Sequence, residues 1–89
     1  MVRMMIRHSV REYAKWRRAY NKFDRERRKL GVSGHAVYRN TSRPNESTVT
    51  HDFKSTAAGK KFAASRRLRE VMKGAGVRGK PTIWFVKRA

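Results

Sequence analysis

The 89-residue chain predicts an α+β domain in which a four-stranded antiparallel sheet carries two helices on one face, in the order βαββαβ. Three observations carry that prediction. Residues 9–30 and 55–76 repeat apolar side chains every three or four positions, the period of a helix with one buried face. Residues 2–9, 32–40, 47–54 and 82–87 alternate, or are rich in β-branched and aromatic types, as strands are. Between the second and third of these lies turn chemistry throughout, Asn40-Thr41-Ser42-Arg43-Pro44-Asn45-Glu46, which makes a hairpin. Right-handed crossovers then close the order into one sheet with both helices on the same side.

Taken in order, Val2, Met4, Ile6 and His8 share one parity of the first strand and Arg3, Met5 and Arg7 the other. Ser9, with Glu12 three residues on, forms a capping box for the first helix. Along it Tyr13, Trp16, Tyr20, Phe23, Arg27 and Leu30 make one stripe, which predicts about five turns ended by Gly31. The second strand carries Gly34 to Arg39. The third alternates Val49, His51, Phe53 against Thr48, Thr50, Asp52. Ser55 caps a second helix with Ala58, Phe62, Ser65, Leu68, Met72 and Ala75 on one face, loosened and ended by Gly74 and Gly76. Lys80-Pro81 introduces the last strand.

With both helices on one face, the other sheet face is left bare. Depending on register it carries Met4, Ile6, Val49 and Phe53, or Met5, Tyr38, Trp84 and Val86. Neither set suits water, so a homodimer is expected, packed through that face.

Composition excludes much. The length suits a single domain, residues 1–89. Zero Cys removes disulfide frameworks, thiolate zinc sites and cysteine nucleophiles. The longest uncharged apolar run, Pro81 to Val86, is too short to span a bilayer, and Arg3 and Arg7 interrupt the opening apolar stretch, unlike a secretory signal. A soluble, cytoplasmic domain is expected. Gly74, Gly76 and Gly79 lack the order of a dinucleotide-binding loop, and no metal or cofactor is called for by any motif.

The residues also resemble a known family. The pattern Ile6-x-His8-x-Val10-x-x-Tyr13-x-x-Trp16 followed by Gly31-Val32 is similar to that of dimeric α/β-barrel proteins, the group containing the antibiotic-biosynthesis monooxygenase-like domains and small bacterial cyclase-like proteins. Val37-Tyr38-Arg39, Pro44-Asn45-Glu46, Phe62-x-x-Ser65, Leu68-Arg69 and Ala75-Gly76-Val77-x-Gly79-x-Pro81 extend the match along nearly the whole chain. The resemblance implies a ferredoxin-like fold, a dimeric barrel, a small-molecule cavity between sheet and helices and, for the wider family, cofactor-independent oxygenation. It implies no particular reaction, because this fold hosts many.

The charge departs from that family. Twenty-four Lys+Arg against six Asp+Glu give +18 at neutral pH. Arg11, Lys15, Arg18, Lys22, Arg25 and Lys29 run along the outer face of the first helix at spacings of 4-3-4-3-4, and each like-charged pair four apart costs roughly 0.2–0.5 kcal/mol. Lys60 and Lys61 stand near the start of the second helix, where the macrodipole disfavours cations, and Arg66 and Arg67 follow. Three readings follow. Deliberate positive supercharging of a family member fits Lys, Arg, Ser and Thr filling exposed positions around an undisturbed core, with polyanion binding as a by-product, and it ranks first. A nucleic-acid binder would use these ten cations on phosphates. An enzyme or ligand binder would draw on His8, His35, Tyr38, His51, Asp52 and Trp84, with a His8 or His35 base beside Tyr38; His51 and Asp52, adjacent on a strand, cannot form a simple dyad. Supercharging predicts isotropic charge, and nucleic-acid binding predicts one continuous basic face.

Overall fold

A computed structural model describes residues 1–89. Its elements are β1 (Val2–Val10), α1 (Tyr13–Lys22), α2 (Asp24–Lys29), β2 (Gly34–Arg39), β3 (Glu46–Phe53), α3 (Thr56–Ala63), α4 (Arg66–Gly74) and β4 (Val77–Val86). The strands form one antiparallel sheet in the order β2-β3-β1-β4, so the two central strands are the first and third of the chain. This is the ferredoxin-like βαββαβ arrangement, with each expected helix built as two short ones. No helix is long and apolar enough to cross a membrane.

Ser9 does not cap the first helix. β1 runs on to Val10, which pairs with Val77 and donates its N–H to the Asn45 carbonyl at 2.8 Å. Glu12 takes the N-cap position without a side-chain bond, and the Asn45 Oδ1 accepts from Tyr13 N–H at 3.2 Å. The cap is therefore supplied from the β2–β3 turn rather than from within the helix. The helix then bends at Phe23, whose N–H is shared between the Ala19 and Tyr20 carbonyls. The Tyr20 carbonyl also accepts from the Arg27 guanidinium. Gly31, at φ 101°, ends α2, and Val32 N–H closes back on the Arg27 carbonyl at 3.1 Å.

The second helix breaks at Ser65. Its backbone is extended and its hydroxyl accepts from Leu68 N–H at 3.2 Å, so a residue that periodicity places on the apolar face is the N-cap of α4. Ser55 caps α3 in the same way, through Ala58 N–H at 3.1 Å. The break also reverses the expected cost at Lys60 and Lys61. They lie in the last turn of α3, where the macrodipole favours cations. Further on, β4 begins at Val77, ahead of Pro81. Its pairing with β1 slips between Arg7 and Ser9, where Gly79 takes φ 68°.

The core lies between sheet and helices. Met4, Ile6, Val10, Val49 and Phe53 from the two central strands meet Trp16, Val32, Phe62 and Ala75. Gly59 belongs to this packing: a Cβ there would stand 2.5 Å from the Phe85 ring and 3.3 Å from Phe53, so α3 approaches the sheet only because the side chain is missing. The opposite face carries Met5, Tyr38, Trp84 and Val86, with the last three exposed, and is bare in the single chain.

Candidate active site

The sheet register divides the six candidate residues between two faces. His8 on β1, His35 on β2 and His51 on β3 all point toward the helices, as their ring contacts with Trp16, Tyr20 and Phe62 show. Tyr38, Asp52 and Trp84 have the other parity and lie on the bare face, where Asp52 accepts from Arg3 Nε at 2.8 Å. A base at His8 or His35 beside Tyr38 is therefore not available, because the sheet stands between them. His51 and Asp52, adjacent on β3, likewise face apart. No three His, Asp or Glu side chains gather where they could hold a metal ion.

Two of these histidines, His8 and His51, border a cavity, whereas His35 is exposed and lies outside it. Ile6, His8, Val49 and His51 form its sheet wall, Trp16, Tyr20, Phe23 and Arg27 its α1–α2 wall, and Phe62, Leu68, Val71, Met72 and Ala75 close it from α3, α4 and the turn beyond. The open space is about 50 Å³ for the centre of a water molecule, within about 470 Å³ of empty volume counted out to the mouth. The larger figure takes in open solvent at the mouth, and the enclosed part is the smaller one.

Its polar groups are few and mutually bonded. Tyr20 Oη and His51 Nε2 lie 2.9 Å apart, with the two rings stacked at 9°. Burial, reinforced by the nearby Arg27 and His35, pushes the His51 imidazole down to about 3, and burial pushes the Tyr20 phenol up to about 12. At neutral pH the pair is thus an uncharged imidazole and a protonated phenol. One proton serves the contact, and His51 Nδ1, fully buried, has no partner. His8 is also lowered by burial, against a backbone bond in which its Nδ1 faces the Ser47 carbonyl at 3.4 Å. That contact sets the tautomer with the proton on Nδ1 and leaves the Nε2 lone pair free. Its ring stands edge-on to Trp16, with centroids 5.2 Å apart.

Arg27 is the member that sequence reasoning leaves out. It is 2% exposed, its guanidinium lies 3.6 Å over the Tyr20 ring, and it donates to the Tyr20 carbonyl and to Asp24 Oδ1. Tyr20 and Trp16 are likewise read from periodicity as core alone. The available signal was Arg27 itself, a cation at a stripe position otherwise occupied by apolar and aromatic residues.

The ten cations proposed for phosphate contact are all exposed. Arg67 is committed to Glu26, through Nε at 3.2 Å and Nη2 at 3.2 Å, in a fork that joins α4 to α2.

No protein-family model matches the chain, and no curated protein matches it in sequence. Solved structures match it in fold. A protein of Bordetella bronchiseptica, provisionally described as an antibiotic biosynthesis monooxygenase, superposes with a TM-score of 0.86 over 99% of this chain and 96% of that one, at 16% identity. A conserved protein from Methanosarcina mazei Go1 gives 0.75 over 99% and 92%, at 14% identity. SnoaB of Streptomyces nogalater, a cofactor-independent oxygenase, gives 0.74 over 99% and 94%, at 12% identity. Two of these neighbours are described as a monooxygenase or oxygenase, and what the chain shares with all three is the ferredoxin-like fold.

Proposed function

We propose that this chain is a cofactor-independent oxygenase acting on a small, flat, hydroxylated aromatic substrate held between the sheet and the helices. The observation that carries the proposal is an apolar, aromatic-walled cavity bordered by imidazoles that are neutral at physiological pH. The neighbouring oxygenase of the same fold adds support.

The chemistry follows from the wall. A base with a free lone pair, His8 Nε2, removes a proton from a methylene made acidic by an adjacent aromatic carbonyl system. The carbanion delocalises onto its oxygen, which accepts a hydrogen bond from the Tyr20 hydroxyl while His51, with its proton on Nε2, donates to Tyr20 Oη. Dioxygen then takes the electrons. One oxygen atom enters the methylene carbon as a carbonyl, the other leaves as water, and the methylene supplies both hydrogens. Aromatic rings on three sides exclude water from the carbanion.

Trp16 gives the test. In a Trp84→Phe background it is the sole tryptophan, and a saturable quench by a panel of hydroxylated aromatics of one to three rings reports occupancy of the cavity. Oxygen uptake on the same panel reports turnover, and His8→Gln should cut it by about 10²-fold or more while the quench persists. A panel with no saturable quench refutes the cavity, and a quench without His8-dependent oxygen uptake reduces the protein to a binder.

The assembly we propose is a homodimer whose two bare sheet faces pack together. Exposed Tyr38, Trp84 and Val86 support it, and so does the placement of charge. The strands carry five Lys/Arg and two Asp/Glu, whereas the helices carry fourteen and three. The sheet layer offered to a second copy thus carries less like charge than the helix layer.

A further inference from the structure

The net charge is not spread evenly. The four helices hold +11 of it and the strands +3, from the counts just given. Within the helix layer, Lys15, Arg18, Lys22, Arg25 and Lys29 recur at helical spacing on either side of Phe23, at φ −84° and ψ 0°, and Arg11 stands just ahead of α1, before the extended cap residue Glu12. All six are exposed and none forms an ion pair. The acids of the same segment are directed elsewhere: Asp24 to Arg27 and Arg28, and Glu26 to Arg67. Only Glu12, exposed at the start, is unpaired within the stretch. The stripe alternates Arg and Lys, and at 1.5 Å per residue its helical part, Lys15 to Lys29, is roughly 21 Å long.

We infer that this face binds the backbone of double-stranded nucleic acid. A line of unpaired cations works against its own helix, and a phosphate strand is the partner that relieves the repulsion along its length. The aromatic residues decide which nucleic acid. Single-strand binders stack bases on exposed aromatics, but Trp16, Tyr20 and Phe23 of these helices are turned to the core, and exposed Tyr38 and Trp84 lie on the opposite face of the sheet. A lipid surface would need several large apolar side chains beside the cations, and on these helices only Leu30, at the far end, is exposed. The binding is to backbone and carries no sequence preference. It is independent of the cavity chemistry.

The test is fluorescence anisotropy with a labelled 20-base-pair DNA duplex across a salt series, comparing two variants of equal charge. One is Arg11→Gln/Arg18→Gln/Arg25→Gln; the other is Lys54→Gln/Arg78→Gln/Lys87→Gln, placed off the stripe. With six phosphates engaged, affinity falls about 40-fold for each doubling of salt, and with three about 6-fold. The stripe variant should show the shallower dependence and the control should keep the steep one, with both retaining the wild-type circular dichroism spectrum. Equal slopes in the two variants would overturn the inference, because the charge would then act as a generic coat. So would tighter binding to single-stranded DNA or to anionic vesicles than to the duplex.

Discussion

Acidification from pH 7 to pH 5 should weaken the fold through His51. The imidazole has an ordinary value of 6.5 and is held at about 3 in the folded chain, chiefly by burial. A histidine lowered on folding contributes full stability above its unfolded value, and that contribution is lost as pH falls from there toward the folded value. Between pH 7 and pH 5 the unfolded chain takes up the proton and the folded chain does not. Linkage makes the loss about 2 kcal/mol at pH 5. The figure changes little if the folded value is a unit higher, because pH 5 is still above it. For a domain of this size that is a fall in Tm of roughly 8–16 °C. His8, also lowered by burial, adds in the same direction. Glu26, lowered by its bond to Arg67, titrates below this window. The assay is urea unfolding at pH 7, 6 and 5 for the native chain and for His51→Gln, whose amide keeps a partner for the Tyr20 hydroxyl but does not titrate. Gln is expected to cost stability at pH 7, so the comparison is of slopes. The variant should lose about 2 kcal/mol less on acidification. Parallel pH curves would refute the reasoning, because His51 would then be hydrated and ordinary.

Three further outcomes are expected. Gly59→Ala should destabilise by about 1–3 kcal/mol, read as a lower urea midpoint, since its Cβ would press on the Phe85 and Phe53 rings in a filled core. Trp84→Asp should leave the circular dichroism spectrum intact and convert a dimer to monomer in sedimentation equilibrium; an unchanged mass would remove the bare face from the assembly. Ser65→Ala should cost about 1 kcal/mol in thermal melts, as loss of the α4 cap, and Ser65→Asp should recover most of it.

The fold was legible because both periodicities are clean: strand alternation in 47–54 and a helical stripe from Tyr13 to Leu30 admit one topology. Two features hid from that reasoning. A stripe cannot show that its helix bends, since the bend at Phe23 preserves the period, nor that Ser65 has left the helix, since a cap and a helical position fall at the same spacing. The cap of α1 was out of reach for a different reason, because Asn45 arrives from a turn more than thirty residues away. The candidate site was half legible. Histidines on three strands could be named, but only register tells that they share a face and that Tyr38, Asp52 and Trp84 do not. The charge was legible as a total and not as a pattern, because polarity between layers exists only once the layers do.

Arg27 ties these levels together. One cation in an apolar stripe reads as an exception to amphipathicity, yet its guanidinium is why the stripe works. It donates to the Tyr20 carbonyl, which also accepts from Phe23 N–H, where α1 gives way to α2. Lying on the Tyr20 ring, it buries a charge against a π-face, an arrangement worth about 2 kcal/mol once desolvated. Its field also helps keep His51 unprotonated, second only to burial. The apolar character of the cavity is therefore maintained by a positive charge in its wall. That charge repels a proton from the one imidazole that would otherwise bring water in with it.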